Sequence, residues 1–181
     1  MIKWLPYMID ITSLFIWLKS HSYQTAKASR WQLITILSAV AYMMIVSYLT
    51  LAPTSYAFVG NQQVAPMIVG SAPVNLIPFW STTADFYQNV LMMMPMGIYI
   101  RLLLPNLKFK KVILTGVVIS TGIEMLQFIL DEWVGLSRWV DINDVLTNAF
   151  GVALGWLIIV GLAYTPVKRI ILPFVISLFS R

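Results

Sequence analysis

The sequence predicts an all-α fold: a polytopic transmembrane helical bundle of about five helices, four of them clear spans. Three observations predict it. Hydrophobic residues make up 59% of the 181 residues and charged residues only 10%, against about 25% charged in a typical soluble domain. So few charges cannot cover a soluble surface, whereas a bilayer solvates such a surface readily. Four apolar segments each approach the length of about 20 residues that crosses roughly 30 Å of hydrocarbon. The connections between them alternate between basic and non-basic, as successive crossings require.

Taken in order, the first segment, Trp4–Leu18, is apolar but short, and Asp10 interrupts it. It reads as a span or as a helix lying in the interface, with Trp4 and Trp17 at the headgroup level in either case. The first clear span is Trp31–Leu51, uncharged and ended by Pro53. The second runs from about Phe86 to Leu104, uncharged until Arg101 and stopped by Pro105. Inside it, Pro95 removes a backbone donor and predicts a kink. The third, Val112–Leu130, is broken only by Glu124, and the fourth, about Val145–Tyr164, stops before Pro166. The tail Ile170–Phe179 is too short to cross and suits an interfacial helix. These readings divide the chain into an N-terminal helix with a basic linker (1–30), a membrane domain (31–166) and a tail (167–181).

Loop charges orient the bundle. Lys19, Lys27 and Arg30 precede the first clear span; Arg101, Lys108, Lys110 and Lys111 join the second to the third; Lys168, Arg169 and Arg181 follow the fourth. The connection Ala52–Thr83 has no charged residue, and Asp131–Asp144 has four acids with Arg138 as its one base. The positive-inside rule therefore places the basic connections and the C-terminus in the cytoplasm. The net charge of +5 is accounted for by these connections facing anionic lipid, and no nucleic-acid binding is expected. The side of Met1 stays open at this level. With no cysteine and a single histidine, His21, thiolate and histidine-rich metal sites are excluded. No cofactor is expected, and binding of a divalent cation through oxygen ligands stays open.

An ionisable group inside a span is costly and marks a candidate site. Glu124 is such a group, in the outer half of a helix that enters from the cytoplasm near Lys111. At about 100° per residue, Ser120, Glu124, Gln127 and Asp131 share a stripe roughly 60° wide. In the fourth span Asp141, Asp144, Asn148, Gly151 and Gly155 share a face about 80° wide if the helix includes Asp141. The acids there stand near a helix N-terminus, where the macrodipole favours negative charge and either acid suits a cap. Gly151 and Gly155 form a small-xxx-small pair that admits a close helix. Asn89 stands near the outer end of the second span. Asn75-Leu-Ile-Pro-Phe-Trp80 reads as an apolar segment that dips into the outer interface or partly re-enters the membrane, anchored by Phe79 and Trp80. Two readings remain open for these polar sets: helix–helix hydrogen bonding with capping, or a functional pocket. Met92–Met94 reads as packing filler.

Together these elements resemble the VanZ-like family: Asn75–Phe79, Asn89 followed by Pro95-Met-Gly97, Glu124-x-x-Gln127, and Arg138-x-x-Asp141-x-x-Asp144-x-x-x-Asn148-x-x-Gly151. The resemblance covers about Trp31–Tyr164. It implies a multi-pass protein of the bacterial cell membrane, of a type linked to resistance to teicoplanin and related lipoglycopeptides without resistance to vancomycin. The expected site set is Glu124, Gln127, Arg138, Asp141, Asp144, Asn148, Asn89 and Asn75. The expected partners are membrane lipids and a lipoglycopeptide or lipid-linked cell-wall precursor. Three functions compete: a membrane accessory protein with an outer-leaflet polar pocket, an enzyme acting on a lipid-linked phosphate with Arg138 holding that phosphate, and a transporter or scramblase. The last needs polar groups through the whole thickness, and here they thin out toward the cytoplasm.

Overall fold

The computed structural model describes residues 2–21, 28–53, 67–80, 84–136 and 138–176. Lys27, Arg181 and much of the uncharged connection lie outside them. A 3-10 turn at Ile2–Trp4 leads into α1 (Leu5–Ser20). Then follow α2 (Arg30–Leu51), α3 (Ala84–Leu103), α4 (Phe109–Val134), α5 (Ile142–Leu162) and the short α6 (Lys168–Ile171). The four expected spans are all present as helices, with ends within a few residues of the apolar limits. Three of them, α2, α4 and α5, are long and apolar enough to cross a membrane.

Glycines dictate how α3 and α5 pack. A Cβ on Gly151 would overlap the carbonyl of Val90, one on Gly155 the carbonyl of Met94, and one on Gly97 the carbonyl of Val152. The small-xxx-small pair is thus in backbone contact with α3, and Gly97 makes the contact reciprocal. Residue numbers rise together along the two helices, so α3 and α5 run parallel and side by side. On α5's other flank, a Cβ on Gly116 of α4 would lie 3.2 Å from Ala149 Cα. There the pairing is antiparallel. The central packing joins Val46, Met93, Met96, Ile100, Val112 and Val152. Helix α3 continues through Pro95. One turn earlier, the Tyr42 hydroxyl of α2 donates to Met92 O at 2.8 Å, tying this part of α3 to α2.

Helix α1 pairs with α2 in the opposite direction. Trp4 and Tyr7 pack on Tyr48 near the end of α2, with centroids 6.4 and 5.8 Å apart. Ser47 donates to Asp10, which answers the cost of a carboxylate among apolar residues. At 16 residues α1 is about 24 Å long. Its first residues lie at the end of the bundle that carries the acidic connection: Lys3 Nζ is 4.0 Å from where a Cβ on Gly135 would stand.

The fold departs from all-α at that end. Strands β1 (Met67–Val69), β2 (Ala72–Asn75) and β3 (Val140–Asp141) form a small sheet in the order β1-β2-β3. The β1–β2 hairpin is antiparallel with a two-residue loop, Gly70-Ser71, and β2–β3 is parallel. Gly70 takes φ 62, and its missing Cβ leaves room for the Glu132 carboxylate. That carboxylate accepts from Ser71 N at 2.6 Å, pinning the hairpin to the end of α4. At the opposite end, the described part of the tail is not one amphipathic helix. It is the four-residue α6, a 3-10 turn at Leu172–Phe174 and an extended stretch. Its backbone is taken up by neighbours: Thr35 donates to Phe174 O at 2.9 Å, Gln32 to Val175 O at 3.0 Å, and Ile176 N donates to Leu102 O at 2.7 Å.

Candidate functional site

The polar stripe of α4 faces inward along its whole length. Ser120, Glu124, Gln127 and Asp131 are buried, while Met125 and Val118 are exposed on the other side. What they meet is the start of α5 and the strand before it. Asp141 sits just outside α5 in extended backbone and caps it, accepting from Asn143 N at 2.7 Å. Of the two places the sequence allows Asp141, on the helical face or at its cap, it takes the cap. Glu124 Oε2 accepts from Asp141 N at 2.9 Å. Asn75, the last residue of β2, donates to Asp141 Oδ1 at 2.9 Å and accepts from Ile77 N at 3.0 Å. One layer inward, Ser120 donates to Asp144 O at 3.2 Å and accepts from Asn148 Nδ2 at 3.0 Å. Gln127 Nε2 donates to Thr50 O at 3.0 Å, joining the stripe to the end of α2.

Arg138 is a structural tie as well as a charge. Its Nη2 donates to Leu49 O at 2.8 Å and Ala52 O at 3.0 Å, where the carbonyls of α2 run out of intrahelical donors. Its backbone N donates to both oxygens of Asp131, at 3.0 and 3.1 Å. Burial pushes the guanidinium below its ordinary value, and the carboxylates of Asp131, Asp144 and Glu124 push it back up. Burial likewise pushes the Asp141 carboxyl up, while its bonds from Asn143 and Asn75 pull it down.

Three buried polar atoms in this region have no partner among the described residues: Gln127 Oε1, Asn148 Oδ1 and Asn143 Nδ2. Each such atom in a dry interior costs about 1–3 kcal/mol. Above them the turn Ile77–Trp80 covers the first residues of α5. Phe79 N donates to Asn143 Oδ1 at 2.7 Å, and Phe79 takes φ 60, a strained value for an aromatic residue. The side chains of Phe79, Trp80, Trp133 and Trp139 at this end are exposed, an arrangement suited to a membrane–water interface.

Of the eight expected site residues, Asn75, Glu124, Gln127, Arg138, Asp141, Asp144 and Asn148 converge here. Asn89 does not: it is half-buried on α3, beside the Val90 that packs on Gly151, and makes no hydrogen bond within the cluster among the described residues. Two members were missed. Asn143 is the residue between the two acids, and its signal was the Asp-Ile-Asn cap. Thr50 contributes only a carbonyl, which no side-chain pattern announces. Among the described residues, no three His, Cys, Asp or Glu side chains come together to hold a metal. A separate cavity of about 230 Å³ lies at the basic end, lined by residues such as Ile34, Pro95, Tyr99 and Phe174.

Asp141 offers a direct check on this geometry. Asp141→Ala removes the cap and leaves Asn75 and Asn143 N without their acceptor, an expected loss of about 2 kcal/mol. Asp141→Asn keeps the accepting oxygen and should lose less than half as much. Unfolding of both variants in mixed detergent micelles measures the difference.

Long apolar helices, a buried polar cluster at one end and basic connections at the other define a multi-pass membrane protein. The model of the VanZ/LLP1 family matches residues 39–164, the larger part of the chain, and the chain belongs to that family. No curated protein and no solved structure matches it.

Proposed function

We propose that the protein is a membrane accessory factor that lowers sensitivity to teicoplanin-class lipoglycopeptides, and that its acidic end is an outer-leaflet recess for the head of an amphiphile. The observation that carries the reading is Glu124: a carboxylate buried in a membrane helix, bonded to Asp141 N and flanked by amide oxygens without partners among the described residues. Such a group is expensive in a bilayer, and α4 aims it at the covered start of α5 instead of at lipid. Family membership supports the link to teicoplanin. The alternative of a lipid-phosphate enzyme needs Arg138 for the phosphate. Its Nη2 is instead bonded to two α2 carbonyls, which favours binding over phosphate chemistry.

The test is expression in a susceptible bacterium, with inhibition by teicoplanin and vancomycin measured side by side. A selective rise in tolerance to teicoplanin is expected. An equal response to both drugs, or none, contradicts the proposal.

The same reading sets the topology. Because α3 runs alongside α5 at the same level, it crosses wherever α5 crosses. Because α1 pairs antiparallel with α2, the first turn of α1 belongs with the acidic end, outside the cell. The chain has no cysteine, so Lys3→Cys is a clean reporter. It should react with an impermeant maleimide in intact cells; labelling only after permeabilisation would place the N-terminus inside.

A further inference from the structure

The partners already taken in the recess say what kind of head group it has room to bind. Four backbone donors near the start of α5 are engaged: Asp141 N by Glu124, Asn143 N by Asp141, Phe79 N by Asn143 and Arg138 N by Asp131. Arg138 Nη2 is engaged by carbonyls. An anion arriving here would meet carboxylates and carbonyls. What remains over is mostly acceptor. Gln127 Nε2 donates to Thr50 O, and Asn148 Nδ2 donates to Ser120 Oγ, whose own hydrogen goes to Asp144 O, so the oxygens Gln127 Oε1 and Asn148 Oδ1 are the ends left unpartnered among the described residues. Gln127 is 6% and Asn148 2% exposed. Glu124 uses Oε2 for Asp141, and among the described residues no donor is bonded to its other oxygen. One unpartnered donor, Asn143 Nδ2, stands against these oxygens.

Charge points the same way. The carboxylates of Asp131, Asp144 and Glu124 act on Arg138, and Asp141 joins Glu124 through its backbone N–H. A divalent cation would call for several convergent carboxylates, and no such group of three exists among the described residues. An ammonium asks for less: one counter-charge and neutral acceptors for its three N–H groups.

We propose that this recess recognises a protonated primary amine on an outer-leaflet amphiphile, with Glu124 as its counter-ion and Asn148 and Gln127 as flanking acceptors. The inference rests on the outer-leaflet recess proposed above and specifies its ligand class. Ser120, which holds Asn148, and Gln127 are seven residues apart on α4, about 10 Å along the axis, with Glu124 between them. The ammonium meets Glu124 and one amide oxygen, and an adjoining hydroxyl, amide N–H or water meets the other. The residues are buried, so entry requires the cover over α5 to lift. That cover is the strained turn Ile77–Trp80, tied to α5 through Phe79 N and Asn143.

The experiment uses the purified full chain in phosphatidylcholine nanodiscs and three probes with the same tail: dodecylamine, the neutral N-dodecylacetamide and dodecyl phosphate. Saturable binding of dodecylamine is expected, at least tenfold tighter than either analogue. Glu124→Gln should weaken it about tenfold and Asn148→Ala severalfold, with both variants remaining monodisperse in the discs. Equal binding of the amine and the acetamide, preference for the phosphate, displacement of the amine by millimolar magnesium at constant ionic strength, or amine binding unchanged in both variants overturns the amine assignment while leaving a recess. Absence of saturable binding for all three probes overturns the recess itself along with it.

Discussion

Gly155→Ala is expected to be the most damaging single-methyl change in the bundle. The new Cβ would overlap the carbonyl oxygen of Met94, a backbone atom that cannot rotate away. Helix α3 would have to back off from α5 along the contact that Gly97 and Gly151 share. Overpacking against side chains typically costs 1–3 kcal/mol; against backbone we expect about 3 kcal/mol, even after the gain of roughly 1 kcal/mol from alanine's better helix propensity. The internal control is Gly122→Ala, where nothing lies within 4 Å of the added methyl. That variant should be neutral or gain up to about 1 kcal/mol. Reversible unfolding in mixed micelles, comparing the two, checks the prediction. Equal effects would mean that α3 and α5 are not in backbone contact.

Glu124→Ala carries the second large effect. It leaves Asp141 N–H buried without an acceptor and opens space beside Ser120 and Asp141. An orphaned donor costs about 1–3 kcal/mol, and the lost packing adds to it, so a destabilisation of about 3 kcal/mol is expected. Glu124→Gln separates structure from function. Its amide oxygen can still accept from Asp141 N, so most stability should survive while the charge is gone. If the recess works through that charge, both variants lose the selective teicoplanin effect, but only the alanine variant loses stability. A fully active Glu124→Gln would reduce the carboxylate to a spacer that holds β3 in place.

Much of this arrangement was legible in the chain because local periodicity encodes it. The ends of α2, α3, α4 and α5 fall where apolar runs meet Pro53, Pro105, the acidic connection and Pro166. The stripe Ser120–Asp131 follows from helical spacing alone, and burial of all four members agrees with it. The glycine pair of α5 was visible as a close-packing face, though not that α3 was the helix to fill it. What periodicity cannot reach is pairing between distant short segments. Strands of two to four residues around Gly70-Ser71 and Val140 have too little pattern to stand out, and their register depends on Glu132 and Glu124 far along the chain. The role of Arg138 at the end of α2 was hidden for the same reason: its acceptors are backbone carbonyls. Asn89 is a different case: the residues of α3 in backbone contact with α5 are its neighbours Val90, Met94 and Gly97, which the glycines select and no polar pattern announces.

The polar cluster exists only if the polar face of α4 meets the first turns of α5, and paired cysteines test that contact most directly. In this chain, which has no native cysteine, Ser120→Cys and Asn148→Cys replace side chains that are hydrogen-bonded at 3.0 Å. Oxidation in native membranes should cross-link this pair readily, and should leave the pair Val118→Cys with Asn148→Cys uncoupled because Val118 points away from α5. Cross-linking of the 118 pair in preference to the 120 pair would show α4 rotated, with Glu124 turned from Asp141 toward the acyl chains.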